Sequence, residues 1–284
     1  MPRTGHVALA GRPNVGKSTL LNALVGTHLA IVSPKAQATR LPVVGLLTED
    51  DTQFIFHDLP GLLDPEYLLH ERMLALAVES ARRANVVLQL HRAAEYPAPD
   101  FHTLLPPGTP IRAPILPVYT QVDLLPEGRS LPPGTLATDA PSGRGIPELL
   151  AAIRPHLPEQ PFQYDSEDVG TQPLRFFVTE YLREAAFGVL EDELPYALVA
   201  EVEEFRETTS PVYIRATLFV ERESQKGILI GEGGRTIKAI GQHARLRLEA
   251  LLGEKVYLET WAKVLPRWRK DSNALRRFGF PDGP

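Results

Sequence analysis

Gly11, Gly16, Lys17 and Ser18 stand in the spacing Gly, four residues, Gly-Lys-Ser. That pattern is able to hold a chain of phosphates. Glycines let the backbone of Gly11-Arg12-Pro13-Asn14-Val15-Gly16-Lys17-Ser18-Thr19 curl so that its amides face phosphate oxygens. Lys17 would reach the β- and γ-phosphates, and the Ser18 hydroxyl would ligate Mg²⁺. The competing reading is a glycine-rich turn with an exposed lysine. It leaves unexplained why a buried strand pattern, Val7–Ala10, precedes the loop and a helical one, Ser18–Leu24, follows it.

Other groups fit the same chemistry. Asp58-Leu59-Pro60-Gly61 closes a strand pattern at Gln53–His57. An aspartate there can hold Mg²⁺, and the Gly61 amide can sense a γ-phosphate. Thr39, in the loop Lys35–Arg40, can complete the metal shell with its hydroxyl. Lys17, Ser18, Thr39 and Gly61 are thus the expected catalytic residues, with Ser18, Thr39 and Asp58 around the metal. Thr120-Gln121-Val122-Asp123 ends another strand pattern, Ile115–Tyr119. A carboxylate there can accept from N1–H and the exocyclic amine of guanine. Adenine would leave it unpaired, at a cost of about 1–3 kcal/mol.

These residues need a scaffold, and the first half supplies one. Strand patterns at Val43–Leu47 and Gln53–His57 join through Glu49–Thr52, a helix follows at Tyr67–Ala84, and a buried strand at Val86–Leu90. A last helix is predicted at Ile146–His156, while prolines crowd 97–133 and limit any helix there. The order predicts an α/β unit with an open, mostly parallel sheet and helices on both faces. Residues 158–171, with Pro158, Pro161 and the acidic run Asp165–Asp168, read as a linker between units 1–157 and 172–284.

The second half reads helix, strand, strand, helix, helix, strand, with one helix appended: Leu174–Leu190, Ala197–Phe205, Val212–Val220, Lys226–Ile230, Arg235–Leu252, Val256–Ala262 and Ser272–Phe278. Gly231-Glu232-Gly233-Gly234 lies between the two middle helices. The sequence 261–270 interleaves Trp261 and Trp268 with Lys263, Arg267, Arg269 and Lys270, spacing that suits base stacking with phosphate contact. For Trp261 a place in the core is an equal reading.

The chain has 284 residues, no cysteine and a net charge of −5. Disulfides and thiolate metal sites are excluded, and scattered histidines predict no structural metal. No apolar run reaches the length of a membrane span, and the N-terminus has no signal-peptide core, so an intracellular protein is expected. The charge is uneven: −1 over 1–157, −9 over 158–226 and +5 over 227–284. A basic end on an acidic chain is a footprint that nucleic acid could use.

Over nearly its whole length the chain resembles the Era family of bacterial GTPases. The matching stretches are Gly11–Ser18, Lys35–Arg40, Asp58–Gly61, Glu193–Tyr196, Val220–Glu223, Ile230–Gly241 and Ala274–Gly279. The resemblance implies a P-loop GTPase domain followed by an α+β type II KH domain. It implies GTP or GDP with Mg²⁺ as cofactors, and the 3′ end of 16S ribosomal RNA and the small ribosomal subunit as partners. A monomer in the cytoplasm is expected, with peripheral association at the inner face of the cell membrane left open. In KH domains the Gly-x-x-Gly loop clamps about four unpaired nucleotides. The RNA-contacting residues would be Ile228, Ile230, Gly231, Glu232, Gly233, Gly234, Arg235, Ile237, Lys238, Trp268, Arg269 and Lys270. The Glu232 carboxylate would oppose phosphate.

The departures concentrate at the base. The family usually has Asn-Lys-x-Asp where this chain has Thr120-Gln121-Val122-Asp123. Thr120 is expected to be too short for the asparagine's work on the purine and the phosphate loop, and Gln121 to imitate the lysine only in part. Ala140, in Asp139–Gly143, could keep a backbone contact to the base. Guanine preference with weakened affinity follows. Leu62 cannot orient a water as glutamine does in some GTPases, so hydrolysis is expected to be slow. Asn14 resembles the asparagine that helps hold K⁺ in related GTPases. The alternatives are an RNA-binding scaffold with a degenerate nucleotide site and an ATP-using P-loop enzyme, which Asp123 disfavours.

Overall fold

The computed structural model describes residues 1–282; the last two residues of the expected 172–284 unit lie outside them. The described chain divides into two compact units, one of Met1–Glu66 with His70–Thr171, the other of Tyr67–Leu69 with Gln172–Asp282.

The first unit is built on five strands, β1 (Arg3–Ala10), β2 (Val43–Glu49), β3 (Thr52–Asp58), β4 (Val86–Arg92) and β5 (Ile115–Thr120), in the order β2-β3-β1-β4-β5. Only β2 runs antiparallel to its neighbour, because it joins β3 through a tight hairpin in which Asp50 takes the left-handed conformation. The central strand is apolar along its end, and Val7, Ala8, Leu9 and Ala10 have no exposed surface. Helix α1 (Lys17–Val25) buries Leu20, Leu21 and Leu24. Helix α2 (Leu68–Arg83) sets Ala77 and Ala81 into a core cluster with Ala8, Ala10 and Val87. Helix α3 (Ile146–Ile153) closes the unit. Between 97 and 133 the only helical turns are two 3₁₀ segments, Phe101–Leu104 and Val122–Leu124. Proline lacks the amide a longer helix would need.

Residues 158–171, read as a linker, belong to this unit. The buried amide of Gln53 accepts from the backbone N–H of Gln163 and Tyr164 at 2.9 and 3.1 Å and donates to the Tyr164 carbonyl at 2.9 Å. Further on, Leu46 of the edge strand donates to the Val169 carbonyl at 3.0 Å.

The second unit runs α4 (Leu174–Val189), α5 (Leu194–Ala197), β6 (Val199–Arg206), β7 (Val212–Val220), α6 (Glu223–Ile230), α7 (Arg235–Leu252), β8 (Val256–Val264) and α8 (Ser272–Arg277). Strand β7 is central, antiparallel to β6 and parallel to β8. Helices α4 and α7 pack on each other and on this sheet. The single turn α5, with proline in its first turn, has no periodic signal and was not expected. No helix among the described residues is long and apolar enough to cross a membrane.

Candidate nucleotide and RNA sites

Parallel pairing of β1 with β3 sets Leu9 beside Asp58, so the end of β3 meets the loop that leaves β1. There the three predicted metal-binding side chains converge. The Ser18 hydroxyl donates to Asp58 Oδ2 at 2.6 Å, the Thr39 hydroxyl donates to the same oxygen at 3.0 Å, and the two hydroxyls are 3.0 Å apart. Asp58 is fully buried. Two hydroxyls and one carboxylate are hard oxygen donors and suit Mg²⁺, which keeps several positions for phosphate and water. Among the described residues no group of three or more His, Asp or Glu could hold a metal.

Lys17 lies in the same place, and its ammonium donates to the carbonyls of Arg12 at 3.0 Å and Gly11 at 3.4 Å. Burial pulls its pKa down to about 8, although the nearby Asp58 charge favours protonation. A buried ammonium facing backbone carbonyls is a cation in need of an anion. The loop walls a cavity of about 490 Å³ with Gly16, Lys17, Ser18, Ala38, Thr39 and Gly61 on its surface. Asn14 ties the wall together, donating from its amide to the Pro34 carbonyl at 2.8 Å.

Gly61 is required by contact. A Cβ there would sit 2.8–3.0 Å from atoms of Pro13. Its neighbour Leu62 donates from its backbone to the Gly11 carbonyl at 3.0 Å, while its side chain is buried in the core cluster. That side chain has no access to an attacking water. Leu59 and Pro60, included in the predicted site, are buried as well and line no part of the cavity.

At the base end one expectation is corrected. Thr120 braces the phosphate loop after all: its hydroxyl donates to the Val15 carbonyl at 2.7 Å. Close approach of β5 to the loop makes the longer side chain unnecessary for that bond. Gln121 reaches the Asn14 carbonyl at 3.3 Å and lines the cavity with Leu124. Asp123 is exposed on the adjoining 3₁₀ turn and Ala140 sits in the turn closed between Asp139 and Arg144; neither lines the cavity. Two participants had no sequence signal. Arg92 reaches the Asn14 carbonyl from the end of β4, and the buried His70 of α2 pairs through Nε2 with Gln37 Oε1 at 2.9 Å.

In the second unit, α6 and α7 are joined by Gly231–Gly234, whose middle forms a 3₁₀ turn. Gly231 has φ 71°, and a Cβ on it would lie 2.2 Å from the Thr236 hydroxyl. Ile228 is exposed on the last turn of α6, and Ile230 and Ile237 are partly exposed. Glu232 does not stand alone: it pairs with Arg235 at 2.5 Å, which neutralises the carboxylate and occupies the cation. Lys238 is exposed beside the Gly233 carbonyl.

One of the two tryptophans is placed against expectation. Trp268, predicted to stack on bases, is fully buried, donates from Nε1 to the Ala197 carbonyl at 2.8 Å and meets Phe278 edge-on. An indole with its one donor satisfied inside a core has no face for RNA. Trp261 is half exposed on the open face of β8. Arg269 pairs with Glu221 at 2.5 Å, and Lys270 is exposed.

Comparison with known proteins finds a family match in each of the two units. The family described as 50S ribosome-binding GTPase matches residues 6–110, and the KH domain family matches residues 193–269. The chain is 39% identical to GTPase Era of Carboxydothermus hydrogenoformans, over 99% of this chain and 98% of that protein. It is similar to a crystal structure of a variant of Aquifex aeolicus Era bound to GDP·AlF4⁻, with TM-score 0.91 and 33% identity over 99% of this chain and 100% of that one. It is equally similar, with TM-score 0.91 and 32% identity over 99% and 100% of the chains, to Era in complex with MgGDPNP and nucleotides 1506–1542 of 16S ribosomal RNA.

Proposed function

The chain belongs to the Era family of GTPases, and from that premise we propose that it binds and hydrolyses GTP with Mg²⁺ and acts on the 3′ end of 16S ribosomal RNA during small-subunit assembly. The observation that carries the reading is the meeting of Ser18, Thr39 and Asp58 within 3.0 Å of one another beside the buried Lys17. Ser18 and Thr39 would hold Mg²⁺, with Asp58 behind them, and the ion would neutralise charge on the transferring phosphoryl group. Lys17 supplies a second positive charge to the same oxygens. The RNA partner is drawn from the relative solved with ribosomal RNA, and the Gly231–Gly234 loop is where it would be clamped.

Finer features belong to the same proposal. Hydrolysis is slow, because Leu62 lies in the core and orients no water. Guanine is preferred through the Asp123 carboxylate, and its affinity is reduced because the Thr120 hydroxyl is spent on the Val15 carbonyl. K⁺ stimulates turnover, held by Asn14 Oδ1 while the Asn14 amide nitrogen fixes the Pro34 loop. The protein acts as a cytoplasmic monomer, and any contact with the inner face of the membrane is peripheral. The test is single-turnover hydrolysis of GTP with and without Mg²⁺. Ser18→Ala should slow it by about a hundredfold or more, and GDP should bind more tightly than ADP in calorimetry. Equal rates in wild type and Ser18→Ala would overturn the metal assignment.

A further inference from the structure

We propose that Arg222, Arg267 and Lys270 form a second phosphate-holding site for RNA in the second unit, separate from the Gly231–Gly234 loop. It extends the RNA reading above and rests on it. The three cations line one cavity with Glu221 and Arg269. Arg269 and Glu221 neutralise each other at 2.5 Å, with side chains only 22% and 14% exposed. Arg222, Arg267 and Lys270 are all exposed and, among the described residues, form no ion pair. The cavity therefore carries three positive charges that the protein does not balance, on a chain that is acidic overall. Unbalanced, converging cations on one wall attract phosphate.

The cations are held in place by buried neighbours. Gln225, itself buried, accepts from the backbone N–H of Glu221 and Arg222 at 3.0 and 3.1 Å and fixes the start of α6. Trp268 is anchored in the core by its bond to Ala197, so Arg267, just before its 3₁₀ turn, and Lys270, at the end of that turn, have a fixed base. Val220 pairs with Val264 and the Leu265 N–H donates to the Val220 carbonyl at 2.8 Å, which brings the two cationic segments together. The buried tryptophan thus serves RNA binding indirectly, by presenting its charged neighbours.

Placement selects the ligand. Helix α6 separates Arg222 from the Gly231 loop, and its eight residues span about 12 Å. A strand clamped over about four nucleotides that continues past the loop along α6 arrives at this cavity. The expected occupant is the phosphodiester backbone of single-stranded RNA. A free polyphosphate offers the same oxygens and is the source the experiment must exclude.

The experiment compares wild type, Arg267→Ala/Lys270→Ala and Gly233→Asp against a single-stranded RNA of about 4 nucleotides, one of about 12, and tripolyphosphate, over a salt series. The double variant should bind the long RNA about tenfold more weakly. Its slope of log affinity against log salt should be shallower by about 1.4, for two lost phosphate contacts. Its affinity for the short RNA should be unchanged. Unchanged affinity and slope for the long RNA, with Gly233→Asp weakening both RNAs, would overturn the second site and keep the RNA reading. No effect of Gly233→Asp on either RNA would remove the RNA reading and this site with it. Loss of tripolyphosphate binding alone, with long RNA unaffected, would assign the cations to a free phosphate compound and also overturn the proposal. Both substituted side chains are exposed, so melting curves should match wild type.

Discussion

Lys17 concentrates the conflict between stability and binding in one side chain. Its ammonium is buried, and its pKa is pulled from 10.5 to about 8. At about 1.4 kcal/mol per unit, keeping it charged in the nucleotide-free fold costs on the order of 3 kcal/mol. Lys17→Met should therefore abolish nucleotide binding yet raise the stability of the nucleotide-free protein at pH 7 by about 1–3 kcal/mol. The unfolded chain holds this proton more tightly than the folded one. Wild-type stability should then rise as pH goes from about 8 to 10.5, and Lys17→Met should lack that rise. Urea melts at pH 7, 8 and 10 check both; a less stable Lys17→Met at pH 7 counts against the account. His57 shows the same physics at lower pH. Burial first, then the neighbouring His6 charge, lowers its pKa to about 4, and His6 Nδ1 lies 2.9 Å from its Nε2. Folding stability should fall as pH drops from 6.5 towards 4, and His57→Gln should flatten that part of the profile in acid melts. Residue types at fixed spacing made Lys17, Ser18, Thr39 and Asp58 legible, since each owes its place to a strand end or loop. Thr120 was not, because its brace depends on how near the Val15 carbonyl lies. The two tryptophans were not, because alternating aromatics and cations do not say which ring faces the core.

At the scale of elements, the nucleotide loops are held by contacts the sequence pattern does not carry. Gln37 lies in the loop before β2, has a left-handed backbone and lines the cavity. His70 lies on α2, fully within the core, and joins it at 2.9 Å. The pair links the segment bearing Thr39 to the helix that follows Asp58–Leu62. Breaking this part-buried hydrogen bond costs about 0.5–1.5 kcal/mol. His70→Ala should accordingly free the Lys35–Arg40 loop and lower affinity for a nonhydrolysable GTP analogue about tenfold, with GDP affinity little changed. Hydrogen exchange at residues 35–40 and paired titrations read this out; equal losses for both nucleotides would show that the link does not discriminate the γ-phosphate. Regular elements themselves followed from periodicity in both units, because their apolar faces are continuous. The turn α5 and the 3₁₀ segments did not, since four residues or fewer carry no period.

For the molecule as a whole, the placement of residues 158–171 decides where the nucleotide-binding part ends. Composition alone marks them as a linker, through prolines and the acidic run. Yet their backbone supplies all the partners of the fully buried Gln53 amide except Thr48, and it covers the edge strand at Leu46. Gln160 adds a bond from its side chain to the Thr4 carbonyl at 2.8 Å. We place the functional boundary after 171, rather than at 157. A fragment ending at 157 would leave a buried amide and an open strand edge, and each unsatisfied buried group costs about 1–3 kcal/mol. Residues 1–171 should therefore be more stable than 1–157 by about 3 kcal/mol, with a melting temperature higher by about 2–4 °C for each kcal/mol. Both fragments contain every residue around Lys17, Ser18, Thr39 and Asp58, so the longer one should bind GDP as the full chain does. Gln53→Ala in the longer fragment should erase most of the difference. Equal melting temperatures for the two fragments would mean that the strap adds nothing, and that the buried amide finds its partners elsewhere.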